Sequence, residues 1–304
     1  MDTDDGRSVL VTGGRGFIGC AVAKLLQREG YKVVSLDATA LASSRAAEDE
    51  VLCDLTNATQ LQRIFEERRI GGIVHLAAIL PTAAQREPRR ATRVNVKGSL
   101  HLLELARRFG VERFVFASSL SVYGTCSGNE LVSEAYRAAP EDLYGAAKLY
   151  VERLGEVYRQ SYGLEFVSLR IGRVVGPGAQ SSTSAWRSQI FEMLGASKAS
   201  EIALPYVGSE RILLVQIDDV AKMLVALLRA TRPAHAVYNA VCESVVVADL
   251  KREVERLNST ISVKLGEGQA VGNPRRVDSS RFQGEFSVQI LPILEQLSQV
   301  TKKT

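Results

Sequence analysis

One stretch limits what this chain can fold into more than any other: VLVTGGRGFIGCAVA, residues 9–23. A short apolar run ends in Gly13, Gly16 and Gly19 at GxxGxxG spacing, and a helical pattern starts inside the glycines. Such glycines let the backbone turn tightly and lie close to a pyrophosphate, whose charge a helix N-terminus favours. Taken alone, the string could be a bare strand-to-helix turn.

The rest of the chain gives that string a context. Apolar, β-branched runs at 32–37, 51–55, 72–78, 113–119 and 165–171 alternate with helical patterns at 59–69, 91–110 and 144–162. This alternation predicts an α/β fold, a doubly wound parallel sheet of Rossmann type with helices on both faces. The regularity breaks after Gly176-Pro177-Gly178. Residues 179–186 are loop-like, 187–198 read as a helix, 211–230 as a strand and helix, and 247–258 as a helix. We therefore expect a dinucleotide-binding domain over 1–176, with 211–239 returning to it. A small substrate lobe then comprises 177–210 and 240–304.

Composition removes several functions. With 304 residues, 46% hydrophobic and 24% charged, the chain can build a full core. Its net charge of +4 is dispersed in short pairs such as Arg89-Arg90, so no nucleic-acid or membrane surface is expected. The four cysteines, Cys20, Cys53, Cys126 and Cys242, form no CxxC pair, and only three histidines occur. Reduced thiols and no metal site are expected. The polar start MDTDDGR resembles no signal peptide, so a cytoplasmic protein is expected.

The glycine loop gains meaning from Asp37, at the end of the second strand and about twenty residues on. A carboxylate there can accept from an adenosine ribose diol and repels a 2′-phosphate, which argues for NAD over NADP. Arg15, a cation inside the loop, argues the other way. Asp54 and Leu55 would lie beside an adenine, or simply end a strand. Ala77 and Ala78 leave room for a cofactor backbone, or merely pack tightly.

A set of reactive side chains lies further along. The fifth strand ends in ASSLSVYG, placing Ser118, Ser119 and Ser121 at the sheet edge where ligands bind in such folds. About twenty residues later, DLYGAAKLY puts Tyr144 and Lys148 one helical turn apart on one face. A phenol titrates near 10, and an adjacent ammonium favours its phenolate. Tyr144 could then take a hydroxyl proton while hydride leaves the same carbon for a nicotinamide, with Ser119 orienting the oxygen. An exposed surface pair is the plain alternative, and the glycines, Asp37 and the serines in order outweigh it.

These pieces together resemble the extended short-chain dehydrogenase/reductase superfamily, in its NAD-dependent epimerase/dehydratase branch. The matching stretches are TGGRGFIG, Asp37, CDL, HLAA, VNVKG, SSLSVYG, YGAAK, LRIGRVVGPG and IDDVA, in order across residues 8–230. The resemblance implies NAD as cofactor, contacted by Gly13, Gly16, Phe17, Ile18, Gly19, Asp37, Asp54, Leu55, Ala77, Ala78, Tyr144 and Lys148. It implies Ser119, Tyr144 and Lys148 as catalytic residues, Asn95 as the holder of a lysine-linked water, and a homodimer through helices 91–109 and 144–162. Asn95 could instead face solvent.

Departures narrow the substrate. Leu120 and Ser121 stand where the dehydratases of the branch carry an Asp-Glu pair. Arg173 replaces an Asn of many nucleotide-sugar epimerases, and Arg211 is one residue out of the register of their diphosphate arginine. Arg173 could grip a carboxylate in two prongs, as the similar RIG context of uronate dehydrogenases suggests. It could also pair with Glu192 or Glu243. The expected function is NAD-dependent oxidation and reduction of a secondary alcohol on a sugar or nucleotide sugar, first as an epimerase. Dehydrogenation of a uronate, aldonate or other hydroxy acid is second, and a cofactor-binding regulator without turnover third.

Overall fold

The computed structural model describes residues 6–39, 49–126, 128, 130–178, 184–195 and 198–301. The loop expected at 179–186 falls mostly outside them, as do residues 196 and 197 of the helix expected at 187–198.

Seven strands form one sheet: β1 (Ser8–Thr12), β2 (Lys32–Asp37), β3 (Asp49–Leu52), β4 (Ile70–His75), β5 (Arg113–Ser119), β7 (Phe166–Ile171) and β11 (Val237–Asn239). Their order is β11-β7-β5-β4-β1-β2-β3, and every pairing is parallel. The order reverses between β1 and β4, which opens a crevice at their carboxyl ends.

Helices cover both faces because each strand is apolar on both. One face carries α1 (Phe17–Arg28) and α8 (Ile217–Arg229) over Val9, Val11, Val115 and Leu169. In α1, Gly19, Val22, Ala23 and Leu26 are buried at the spacing of one helix stripe. The other face carries α2 (Ala58–Glu67), α5 (Ser99–Arg108) and α6 (Leu143–Tyr162) over Leu10, Ile73, Phe114 and Phe166. The Asp142 carboxylate caps α6 by accepting from the Gly145 N–H at 2.7 Å, and Gly163, left-handed at φ +68°, ends it.

The long helix expected over 91–110 is interrupted. Short helices α3 (Pro81–Arg86) and α4 (Pro88–Thr92) lead into a π-helical turn, Arg93–Gly98, before α5 begins. Such turns widen a helix locally and are frequent near functional sites.

The remaining strands are β6 (Leu131–Val132), β8 (Arg173–Val175), β9 (Ser200–Tyr206), β10 (Arg211–Gln216), β12 (Glu243–Val246), β13 (Ile261–Gly268) and β14 (Arg276–Val277). They make a three-stranded sheet β12-β10-β8 and two parallel pairs, β13-β9 and β14-β6. Residues 173–175 and 211–216, assigned from the sequence to the dinucleotide-binding domain, pair with each other in this smaller sheet. A separate core gathers Trp186 and Ile190 of α7 (Trp186–Glu192), Leu250 and Val254 of α9 (Val247–Leu257), Ile202, Leu204, Ile261 and Val263. Ile293 and Leu297 of α11 (Ile293–Thr301) close it, and α10 (Ser280–Glu285) packs Phe282 against the first face of the large sheet. Among the described residues no helix is long and apolar enough to cross a membrane.

Candidate active site

The crevice begins at the glycine loop. Gly13 has φ +67°, and a Cβ there would lie 2.9 Å from the Ala77 nitrogen. A Cβ on Gly19 would meet the Gly13 carbonyl oxygen at 2.0 Å. The loop is therefore held tight against both the end of β4 and its own helix. Phe17 and Ile18 turn into the apolar layer beneath α1.

Asp37 stands half-buried at the end of β2. Its carboxylate accepts from the Arg15 N–H at 3.2 Å, and from the Thr39 N–H and hydroxyl at 3.2 and 3.1 Å. The Arg15 guanidinium, the feature that favoured a 2′-phosphate, is engaged by the Glu50 carboxylate and the Thr39 carbonyl. This leaves the ribose-recognition corner acidic. Asp54 is exposed and turns its carboxylate to the Thr56 N–H at 2.8 Å. Leu55 is buried against Gly98, so its side chain packs the sheet face. Ala77 and Ala78 follow β4 in the crevice, and the Ala77 N–H reaches the Thr12 hydroxyl at 3.3 Å.

Strand β5 and helix α6 bring the reactive groups together. The Ser119 hydroxyl donates to Ser121 Oγ at 3.0 Å and accepts from the Ser121 N–H at 3.1 Å. It also hydrogen-bonds the Tyr144 phenol. Lys148 is 4% exposed and donates from Nζ to the Ala117 carbonyl at 2.6 Å, with Nζ 5.5 Å from the Tyr144 ring centre. The three expected catalytic residues therefore share one corner.

Their electrostatics differ from the sequence-based expectation. Burial, helped by Asp142, pushes the Tyr144 phenol up to about 12, and the bond from Ser119 only partly opposes it. Burial also lowers Lys148 to about 7, against the pull of Glu152. Without cofactor, helix spacing does not yield a phenolate, because desolvation of both groups outweighs their proximity.

Asn95 does not face solvent. It is buried in the π-helical turn and clamps the loop after β4, its Oδ1 accepting from the Ile79 N–H at 2.7 Å and its Nδ2 donating to the Ile79 carbonyl at 2.9 Å. Sequence reasoning also missed its neighbours. The Ser99 hydroxyl donates to the Asn95 carbonyl at 2.7 Å, so it accepts from His75 Nε2 at 2.8 Å. His75 Nδ1 then accepts from the Thr12 hydroxyl at 2.7 Å. Burial, then the Lys148 charge, lowers His75 to about 3, and the ring stays neutral in this chain of bonds. The HLAA stretch contains that histidine, but nothing local marks its partners.

At the substrate end, Ile171 pairs in register with Ser119, so Arg173 begins β8 two residues beyond the level of the reactive serine. It is half-buried and donates to the Val271 carbonyl at 3.4 Å. Neither expected partner holds it: Glu192 accepts from the Gly178 N–H at 2.7 Å, and Glu243 from the Ile293 N–H. Arg211 lines a cleft of about 570 Å³ with Arg275, Glu210 and Gln269. There Arg211 donates to the Ser244 carbonyl at 3.2 Å, and Arg275 is paired with Glu210 at 3.1 Å.

A family described as NAD dependent epimerase/dehydratase matches residues 9–240. The chain belongs to the NAD-dependent epimerase/dehydratase family. It is 27% identical over 259 residues to the mitochondrial L-threonine 3-dehydrogenase of Sus scrofa, covering 81% of this chain and 67% of that protein. It is 31% identical over 165 residues to the uronate dehydrogenase of Pseudomonas syringae pv. tomato, covering 54% and 58%. The UDP-glucose 4-epimerase of Thermus thermophilus, solved with NAD, superposes with a TM-score of 0.81 at 25% identity over 97% and 98% of the two chains. NAD is the cofactor of this family, and the bare glycine cradle and acidic Asp37 corner fit it.

In a family whose relatives include both epimerases and dehydrogenases, the shared residues leave the substrate open.

Proposed function

We propose that the protein is an NAD-dependent dehydrogenase of a small hydroxy acid, such as a uronate or a β-hydroxy amino acid. The observation that carries this is Arg173, a guanidinium just past the level of Ser119 with no carboxylate partner among the described residues. A carboxylate on the substrate would complete it.

In this reading the Ser119 hydroxyl turns from Ser121 to the substrate hydroxyl and fixes its oxygen. Tyr144, once it has released its own proton, receives the hydroxyl proton at its oxygen. Lys148, held by the Ala117 carbonyl one turn away, stabilises the phenolate when it carries its own proton. NAD, when bound, supplies the acceptor for the hydride that leaves the carbinol carbon. The Asn95 clamp and the His75 bonds keep the loop after β4 in place.

The epimerase of a nucleotide sugar is a second reading because of the cleft with Arg211 and Arg275. Glu210 weighs against it, since its buried carboxylate already neutralises Arg275 and would face a diphosphate. Titration of the protein–NAD complex with UDP and with D-galacturonate separates the two. For a hydroxy-acid dehydrogenase the uronate should bind, and Arg173→Ala should weaken it by roughly 10- to 100-fold. Tight UDP binding with no response to acids would support the epimerase.

A further inference from the structure

Arg187, in the first turn of α7, holds the only buried side-chain polar atom among the described residues that lacks a hydrogen-bond partner, its Nε. Its guanidinium lies 5.8 Å from the Trp186 ring centre, beside the Tyr206 side chain. The Arg173 guanidinium stands 5.9 Å from the ring centre of the same Tyr206. The two elements are tied directly, since the Gly176 N–H, just after β8, donates to the Arg187 carbonyl at 2.9 Å.

Two guanidinium groups thus converge on one tyrosine. The nearby carboxylates are occupied: Glu192 by the Gly178 N–H and Glu210 by Arg275. Burial and the charge of Arg173 both disfavour the Arg187 cation, which nevertheless stays charged because arginine titrates far above neutrality. Packing of the Arg187 stem on Trp186 explains its aliphatic part. It does not explain an unpaired N–H beside a second cation that no carboxylate neutralises among the described residues, an arrangement that a bound anion would relieve.

We propose that Arg187 and Arg173 are the two arms of a clamp for an oxyanion of the substrate, a carboxylate or a phosphate, with the Tyr206 hydroxyl beside them. The clamp deepens the hydroxy-acid reading and rests on it for the substrate's identity. Its existence is testable separately. It adds Arg187 and Tyr206 as specificity residues, and it predicts that a neutral sugar of the same shape binds poorly.

The chain provides its own reporter, because Trp186 is its single tryptophan and meets Tyr206 edge-on at 6.1 Å. The protein–NAD complex is titrated at low ionic strength with D-galacturonate, inorganic phosphate and neutral D-galactose, followed by calorimetry and Trp186 emission. Both oxyanions should bind saturably and change the emission. Arg187→Met, which keeps the stem, should weaken both by roughly 10- to 100-fold, and Arg187→Lys should restore part of the loss. Galactose binding should not depend on residue 187. Without an anion, Arg187→Met should melt no lower than the wild type, so that lost binding is not lost folding. Equal oxyanion binding by wild type and Arg187→Met, or none by the wild type, overturns the clamp. Oxyanion binding through Arg187 with no NADH from any hydroxy acid upholds the clamp and defeats the dehydrogenase reading. NADH from a hydroxy acid with an unchanged KM in Arg187→Met does the reverse.

Discussion

Glu152 and Arg170 face each other in the interior, 1% and 3% exposed, joined by three hydrogen bonds of 2.9, 3.3 and 2.7 Å. Glu152 also accepts from the Ser118 hydroxyl, next to Ser119, and lies one turn beyond Lys148 on α6. Arg170 continues to the Tyr123 hydroxyl at 2.7 Å, which donates to Asn239 at 2.8 Å on the edge strand β11. The reactive corner is thereby fixed to the far side of the sheet. Glu152→Gln should cost about 3–5 kcal/mol, because it leaves the Arg170 charge buried and unpaired. The double variant Glu152→Leu/Arg170→Met should cost less than the single one. Urea midpoints at unchanged slope measure both.

Lys148 gives stability a pH dependence in the cofactor-free protein. Its folded value, near 7, lies below the 10.5 of a free lysine. Between these values the unfolded chain holds the proton and the folded chain does not, so stability rises with pH across that window. Below about 7 the full cost of the buried charge remains. Lys148→Met should flatten the rise, which is on the order of a few kcal/mol. A wild-type profile with no upward slope between pH 7 and 10 would contradict this. Tyr144 acts oppositely above pH 10, where its raised value makes stability fall as pH climbs toward 12.

Cofactor choice should depend on Asp37 and, less obviously, on Glu50. Asp37→Ser removes the ribose acceptor and the charge that repels a 2′-phosphate. Glu50→Gln frees the Arg15 guanidinium it now holds. Each should raise NADP affinity relative to NAD, and the double variant more than either. Dissociation constants for both cofactors test this, and a Glu50→Gln protein with unchanged NADP binding would exclude a role for Arg15.

The parts that could be read in the sequence are those set by short-range spacing. The glycine turn, Asp37 closing β2, and Tyr144 with Lys148 on one helix face each need only a few neighbouring residues. The Glu152–Arg170 pair and the Thr12–His75–Ser99 chain join positions 18 to 63 residues apart, and no local pattern marks them. The pair β9–β13 buries alternate residues, Ile202 and Leu204 against Ile261 and Val263, but Pro205, Gly266 and Gly268 blur that period. Those glycines are needed because a Cβ on either would lie within 2.8 Å of the Pro205 carbonyl oxygen. The effect of burial on Tyr144 and Lys148 is likewise invisible in the sequence, since spacing gives proximity and says nothing of desolvation.

The homodimer expected from family resemblance has a candidate surface on α6. Leu143, Tyr150 and Val157 recur every seven residues and are 46%, 54% and 50% exposed. Tyr150→Glu with Val157→Glu should convert a dimer into a monomer by light scattering while leaving the fold intact. A wild-type protein that is monomeric at high concentration would remove this expectation.

The most direct measurement is NADH formation by the purified protein with NAD and a panel of free hydroxy acids, run beside UDP-sugars with isomer analysis. NADH should accumulate with at least one acid, in step with the oxidised product. Tyr144→Phe should abolish it while still binding NAD. Isomerised UDP-sugar with no NADH from any acid would contradict a hydroxy-acid dehydrogenase.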